Sequence, residues 1–360
     1  VVFNLLFKDI SNRSLKQYSS RLALFVEDVA ANKDFRYQKE FQDYLVDLYN
    51  KTEGLHKYFL ASVIALERNR LRYIPSKVVN NIIEEQNIPE KYLKGQKIPE
   101  AFFINKNTPK KVIIAFGDSD ALWGHFIPAV KYFVSKGYKL VNVKNIREIN
   151  LKKTKRVILR DKTNPNLEIQ LINAYDNSDF NINNYLNDPS VFMIASRSHQ
   201  GNEDNVFPFS MHKSLNRETF VVVSACRSAT VLPKISDYYP SFELVGVKGT
   251  AIGDITDILT YYILEALKQK RVKTYQQLKD EVRKHIFQSV KNYTLPGDPA
   301  VGIINILRYY SAQKTISLFL SNPSPENRMN LRQALRKLDK ESLKSIFEDN
   351  GFFSYGSKQT

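Results

Sequence analysis

Phe220, Val221, Val222, Val223, Ser224, Ala225, Cys226 is the stretch on which the reading of this chain turns. Its apolar residues make a buried strand, Ser224 and Ala225 make the turn, and the one cysteine of the 360-residue sequence follows. A second apolar run, Val191, Phe192, Met193, Ile194, Ala195, leads through a polar turn, Ser196 to Ser198, into His199. Cys226 and His199 lie 27 residues apart, a spacing that suits one strand, a connection and the next strand of an α/β unit. In an open parallel sheet the carboxyl ends of the strands form the ligand-binding edge. A thiol and an imidazole leaving neighbouring strands there suggest a nucleophile and its base. Taken alone, a cysteine is usually a small buried hydrophobe. The matched strand contexts of the two residues carry the chemical reading, and Gly201 adds a permissive backbone beside the histidine.

Outward from this pair the pattern alternates. Val112 to Phe116 reads as a short buried strand, Ala121 to Ser135 as a helix and Lys139 to Val143 as a second strand, together a βαβ unit. Arg156 to Leu159 and Leu167 to Ile172, separated by a polar turn with Pro165, read as a hairpin or edge extension. Phe242 to Val247 is a further strand. Helices over Ile255 to Lys270 and Thr274 to Val290 would cover the sheet, the second with Thr274 as N-cap. A helix starting after Cys226 would bring its N-terminus near the sulfur and favour thiolate.

Residues 1–108 read as helical: Leu22, Phe25, Val26 and Val29, then Phe41, Tyr44, Leu45 and Leu48, then Phe59, Val63 and Leu66 recur at helical spacing. Pro75, Pro89 and Pro99 mark a connector that wraps onto the next unit. Residues 109–310 form the α/β domain and 311–360 a helical tail. In that tail Leu331, Leu335, Leu338, Leu343 and Ile346 form an amphipathic pattern that points to packing more than to a membrane surface.

The formal net charge of +16 is compatible with an acidic partner surface. The lysines are scattered and no nucleic-acid motif accompanies them, so a solvated basic surface is the expectation and specific nucleic-acid binding is not. A single cysteine excludes an intramolecular disulfide and a thiolate zinc site. His56, His125, His199, His212 and His285 show no paired ligand spacing, so neither metal nor cofactor is expected. No apolar run is long enough to span a bilayer. The sequence begins at Val1, which reads as trimming and leaves room for an upstream export signal, so the compartment stays open.

The order of apolar strand, His and nearby Gly, then apolar strand, small residue and Cys resembles the caspase-like cysteine peptidases, which include caspases, legumains, gingipains, clostripain-like enzymes, metacaspases and separases. Ser224, Ala225, Cys226, Arg227, Ser228 is close to the caspase motif Gln-Ala-Cys-Arg-Gly. The strand Phe242 to Val247, the turn through Gly249 and Gly253, and the helix after it are similar to gingipain-like and separase-like domains. Leu295, Pro296, Gly297, Asp298, Pro299 resembles the Gly-Asp-Pro near the end of gingipain-type domains. The resemblance implies a three-layer α/β/α sandwich with a mainly parallel sheet over about residues 110–300, flanked by helical segments at both ends. It also implies a peptide or protein substrate cleaved by a Cys226/His199 dyad through a thioester. Two departures stand out. Gln200 intervenes before Gly201, so the oxyanion donors would be the Cys226 N–H and one of Gln200 or Gly201. Ser224 stands where basic-specific relatives often carry Asp, so cleavage after Arg or Lys would depend on Asp254 and Asp118.

Two other readings remain. Phe116, Gly117, Asp118, Ser119 looks like the first block of the GDSL-type serine esterases, with Ser119 as nucleophile, although no histidine has Asp three positions before it. A catalytically silent caspase-like scaffold that binds a protein partner is the third.

Overall fold

The computed structural model of the chain describes residues 10–31, 35–93, 97–177, 180–208, 218–239, 241–251, 253–286, 292–296, 298–336, 338, 343–344 and 346–347. Its helices are α1 Asn12–Ala31, α2 Phe35–Lys51, α3 Gly54–Leu66, α4 Ser76–Glu85, α5 Ser119–Ser135, α6 Ile182–Leu186, α7 Leu232–Tyr238, α8 Gly253–Gln269, α9 Tyr275–Arg283, α10 Pro299–Ser321 and α11 Pro325–Leu335. Its strands are β1 Lys110–Phe116, β2 Tyr138–Leu140, β3 Arg156–Asp161, β4 Leu167–Asn173, β5 Val191–Arg197, β6 Thr219–Ser224, β7 Phe242–Val247 and β8 Tyr293–Thr294. The chain divides into an α/β unit, Gly95–Gly297, and a helical unit that joins Val1–Lys94 with Asp298–Thr360. The sequence pattern had placed these boundaries at 108 and 310.

The α/β unit is built on one eight-stranded sheet of order β2-β3-β4-β1-β5-β6-β7-β8. The inner pairs β4–β1, β1–β5, β5–β6 and β6–β7 are parallel, whereas β2–β3, β3–β4 and β7–β8 are antiparallel. The parallel centre follows from near-continuous apolar strands, which must be covered on both faces. On one face Val112, Ile114, Phe116, Met193, Ala195, Phe220, Val222 and Val245 pack with Leu122, Phe126 and Phe133 of α5, Leu259, Ile263 and Leu267 of α8, and Leu278 of α9. The alternate residues Ile113, Ala115, Ile194, Val221, Val223 and Leu244 are buried on the other face, where α7 lies against β7. This is a mixed α/β architecture consistent with a three-layer sandwich.

Several expectations are met and others corrected. Arg156–Asp161 and Leu167–Asn173 do form an antiparallel pair. Thr274 caps α9 with a full capping box, its side chain accepting from the Gln277 N–H while Gln277 reaches back. That helix ends at Arg283 and residues 287–290 lie outside the described residues. The expected βαβ unit from β1 to β2 is not formed. β2 is a three-residue edge strand antiparallel to β3, because the β3–β4 pair takes the place beside β1 that a crossover would have filled. After Cys226 comes a 3-10 turn, Ser228–Thr230, and then the seven-residue α7, not a long helix aimed at the sulfur. The connector does wrap as expected: Lys97 bridges to Thr274, and the Ile98 N–H donates to Lys273 O at 2.9 Å.

In the helical unit, α10 packs on α1 and α3. It is apolar on all sides over its first turns, so Ala300, Val301, Ile303, Ile304 and Ile306 are all buried. Pro299 at its first position explains the Leu-Pro-Gly-Asp-Pro motif locally, since proline suits a helix start where no N–H is needed. Gly297 lies outside the described residues. In the tail Leu338 and Ile346 are buried while no residue of α11 is, so packing holds only in part. No helix among the described residues is long and apolar enough to cross a membrane.

Gly246 of β7 shows how closely the covering layer approaches. A Cβ there would stand 3.0 Å from the Ala229 backbone N and Cα and from Leu232 Cδ1. Gly246→Ala is therefore expected to cost about 1–3 kcal/mol through overpacking. Urea unfolding checks this; an unchanged midpoint would show that the Ser228–Leu232 segment yields freely.

Candidate active site

The last rung between β5 and β6 pairs Arg197 with Ser224, and His199 and Cys226 each lie two residues beyond it. Adjacent strands run about 4.8 Å apart. The two chains therefore leave the same edge of the sheet side by side. Both rung side chains are held by consecutive residues of α8. Ser224 Oγ hydrogen bonds Thr256 Oγ1 at 2.5 Å, and Thr256 Oγ1 in turn meets the Tyr293 hydroxyl of β8 at 3.0 Å. Arg197 forms an ion pair with Asp257, both almost fully buried, and its guanidinium lies 5.5 Å from the centre of the Phe116 ring. Such a buried pair contributes little net stability as a unit, but losing one partner strands a charge and costs about 3–5 kcal/mol.

His199 is fixed from the β1 side. Asp118 is the N-cap of α5, accepting from the Ala121 N–H at 2.8 Å, and its second oxygen accepts from the His199 backbone N–H. The first oxygen also lies 3.2 Å from His199 Nδ1. A proton on Nδ1 pointing at Asp118 leaves Nε2 as the basic nitrogen. Nε2 sits 3.8 Å from Asp120 Oδ2, beyond hydrogen-bond reach, and the ring is 57 % exposed. Gly117 permits this assembly: a Cβ there would collide with Val206 Cγ2 at 2.8 Å, and its carbonyl accepts from Asn205 Nδ2 at 2.6 Å. The loop after His199 can thus close over the end of β1.

Cys226 is half-buried, and its sulfur accepts the Ala251 N–H at 3.4 Å. Ser228 holds the turn beneath it, donating to Val223 O at 2.6 Å and accepting from the Val247 N–H at 2.8 Å. Arg227 takes a left-handed conformation, φ 55°, with its N–H on Gly249 O at 2.7 Å. Among the described residues, no hydrogen bond joins the Cys226 sulfur to the His199 ring.

The oxyanion expectation is narrowed. Asn202 N–H closes a turn onto His199 O at 3.1 Å, with Gly201 at the position needing positive φ, here 95°. Within that turn the Gly201 N–H is taken by Glu203 Oε2 at 2.9 Å, so Gly201 is not the donor. The N–H groups of Gln200 and Cys226 make no hydrogen bond among the described residues, which leaves them as the pair available to an oxyanion.

The expected substrate-binding residues fare differently. Asp118 is 5 % exposed and its oxygens serve the helix cap and His199, so it positions the imidazole instead of lining a pocket. Ser224 is buried against Thr256. The Asp254 side chain lies outside the described residues. Ser119 occupies the first position of α5, with no hydrogen bond to His199 among the described residues. His212 also lies outside them. Arg197, Asp257, Thr256 and Glu203 were not singled out from the sequence, and Ser228 only as the last position of the Cys226 motif. An Arg closing an apolar strand was the one visible signal, since a charge so placed needs a buried partner. No group of three His, Cys, Asp or Glu able to hold a metal occurs among the described residues.

Compared with known proteins, the chain matches no protein-family model, no curated protein and no solved structure.

Glu203 gives the site a pH signature. Burial raises its carboxyl above the ordinary value, against the pull of backbone N–H groups that include Gly201. A carboxyl raised in the folded state holds its proton more tightly there than when unfolded. Its contribution is therefore favourable at low pH and is lost as pH rises through the folded value. Glu203→Gln should flatten this loss in urea-unfolding midpoints as pH rises above the ordinary glutamate range. Parallel profiles for the two proteins would contradict it.

Proposed function

We propose that the chain is a cysteine endopeptidase of the caspase-like kind, with Cys226 as nucleophile and His199 as proton carrier. The observation that carries this reading is the rung between Arg197 and Ser224, from which both reactive groups depart at equal distance along neighbouring parallel strands. In the first step the Cys226 sulfur bonds to the scissile carbonyl carbon and its proton passes to His199 Nε2. The tetrahedral oxyanion is met by the Cys226 and Gln200 N–H groups. His199 returns the proton to the leaving amine as the C–N bond breaks, leaving a thioester. Water, deprotonated by His199, then releases the acid and restores the thiol. Catalytic hydrogen bonds often tighten only when substrate binds, so the absence of a thiol–imidazole bond is compatible with a working dyad. Preference for a basic residue on the acyl side rests on Asp254, because Asp118 and Ser224 are engaged elsewhere.

The missing thiol–imidazole bond favours one other reading, a silent scaffold that binds a protein partner. Covalent labelling separates the alternatives. A peptidyl acyloxymethyl ketone should modify Cys226, and the adduct should be lost in Cys226→Ala. A fluorophosphonate adduct at Ser119 would replace the peptidase by a serine esterase, and no adduct at either residue would leave the scaffold. Asp118→Asn keeps a competent N-cap. Its one amide oxygen cannot accept from both the Ala121 and His199 N–H groups, so the unfolding midpoint should fall by the equivalent of about 1–3 kcal/mol. Turnover should fall by about a hundredfold or more, since the imidazole loses the partner that fixes its tautomer. Full activity in that variant would remove Asp118 from the mechanism.

A further inference from the structure

Helix α5 sends most of its apolar residues into the core: Leu122, Phe126, Val130 and Phe133 are each fully buried. Trp123, the only tryptophan of the chain, does not follow them and stays 50 % exposed. Asp120 lies three residues before it, and Gly124 four residues after Asp120, so the three occupy one stretch of helix surface. The Asp120 side chain is 79 % exposed, and its Oδ2 stands 3.8 Å from His199 Nε2. Nothing lies within 4 Å of where a Cβ on Gly124 would stand, so no protein atom explains a residue that weakens a helix interior. A carboxylate thus stands beside the proposed proton carrier, and an indole and a bare patch share its stretch of helix surface. None of the three serves the core.

We propose that Asp120 and Trp123 form a subsite for a cationic side chain, lysine or arginine, on the leaving-group side of the scissile bond. The placement rests on the peptidase reading above. His199 must reach the leaving nitrogen, so the segment beyond that nitrogen extends past His199, away from Cys226. The structure on that side of β5 is β1 and the start of α5. There the carboxylate supplies the opposite charge and the indole face supplies a surface for a cation to stack on. Gly124 lets the substrate chain approach the helix closely. Asp118 lies deeper, 7 % exposed in its side chain and bonded to the helix cap, so the accessible negative charge is that of Asp120.

The single tryptophan makes the subsite readable without turnover. The full-length Cys226→Ala protein is titrated with a set of blocked peptide amides containing arginine and with the same set containing citrulline, its neutral isostere. Arginine peptides should change Trp123 emission saturably and bind about three- to tenfold more tightly than citrulline peptides, the range for an exposed charge pair joined to an aromatic face. Asp120→Asn should abolish that difference. With active protein, the ratio of kcat/KM for arginine over citrulline just beyond the cleaved bond should fall by a similar factor in Asp120→Asn. Equal response to the two peptide sets, no emission change with either, or selectivity retained by Asp120→Asn would overturn the proposal. Cleavage with no arginine preference would remove the subsite and leave the peptidase. Selective arginine binding, lost in Asp120→Asn but without any cleavage, would support the cation site while removing the peptidase reading.

Discussion

The geometry of the sheet edge depends on one constraint, the capture of both side chains of the last β5–β6 rung by two successive residues of α8. Thr256 takes Ser224 and Asp257 takes Arg197. Because the rung partners share a face, one turn of helix can reach both, and the pairing cannot slip without exchanging that face for the other. Everything beyond the rung inherits its register. His199 and Cys226 leave it in step, and the Ser198 N–H still reaches Ser224 O at 3.4 Å as the chains part.

Above that anchor the edge is organised by short polar contacts from several elements. Asp118 at the head of α5 holds the backbone and ring of His199, Ser228 ties the ends of β6 and β7, and Ala251 offers its N–H to the sulfur. Each partner comes from the turn following a parallel strand, which is where such folds place adaptable chemistry on a rigid base. The polar cost of burying Arg197 and Asp257 is offset by their mutual attraction and buys little stability, which fits a role in specifying geometry. One side of the edge, toward β7, carries the thiol; the other, toward β1, carries the carboxylates and the exposed indole.

Much of this was legible in the sequence, and the rest was hidden for definite reasons. Continuous apolar runs ending at Cys226 and His199 announced parallel buried strands, and the antiparallel β3–β4 pair was visible in its turn. The place of β2 was not, because three residues carry no periodicity and a helix between two apolar runs reads the same for a crossover as for a connection to a distant edge. Asp118 was seen as a carboxylate at a strand end. Its work on His199, 81 positions away, is a tertiary contact with no local pattern. The bond from the Gly201 N–H to Glu203 is local, spanning two positions, but it forms only because the chain turns at Gly201. The charge of Arg197 at the end of an apolar strand signals that a buried partner is needed, but periodicity does not say which, and only the fold selects Asp257.

The most direct measurement of the central claim is a peptide-library cleavage profile of the full chain beside Cys226→Ala and His199→Ala. Cleavage by the parent protein alone, with both substitutions silent and all three proteins sharing the same circular-dichroism spectrum, is the expected result. Cleavage that survives in Cys226→Ala, or a parent protein that cuts no peptide while folded, would contradict the account.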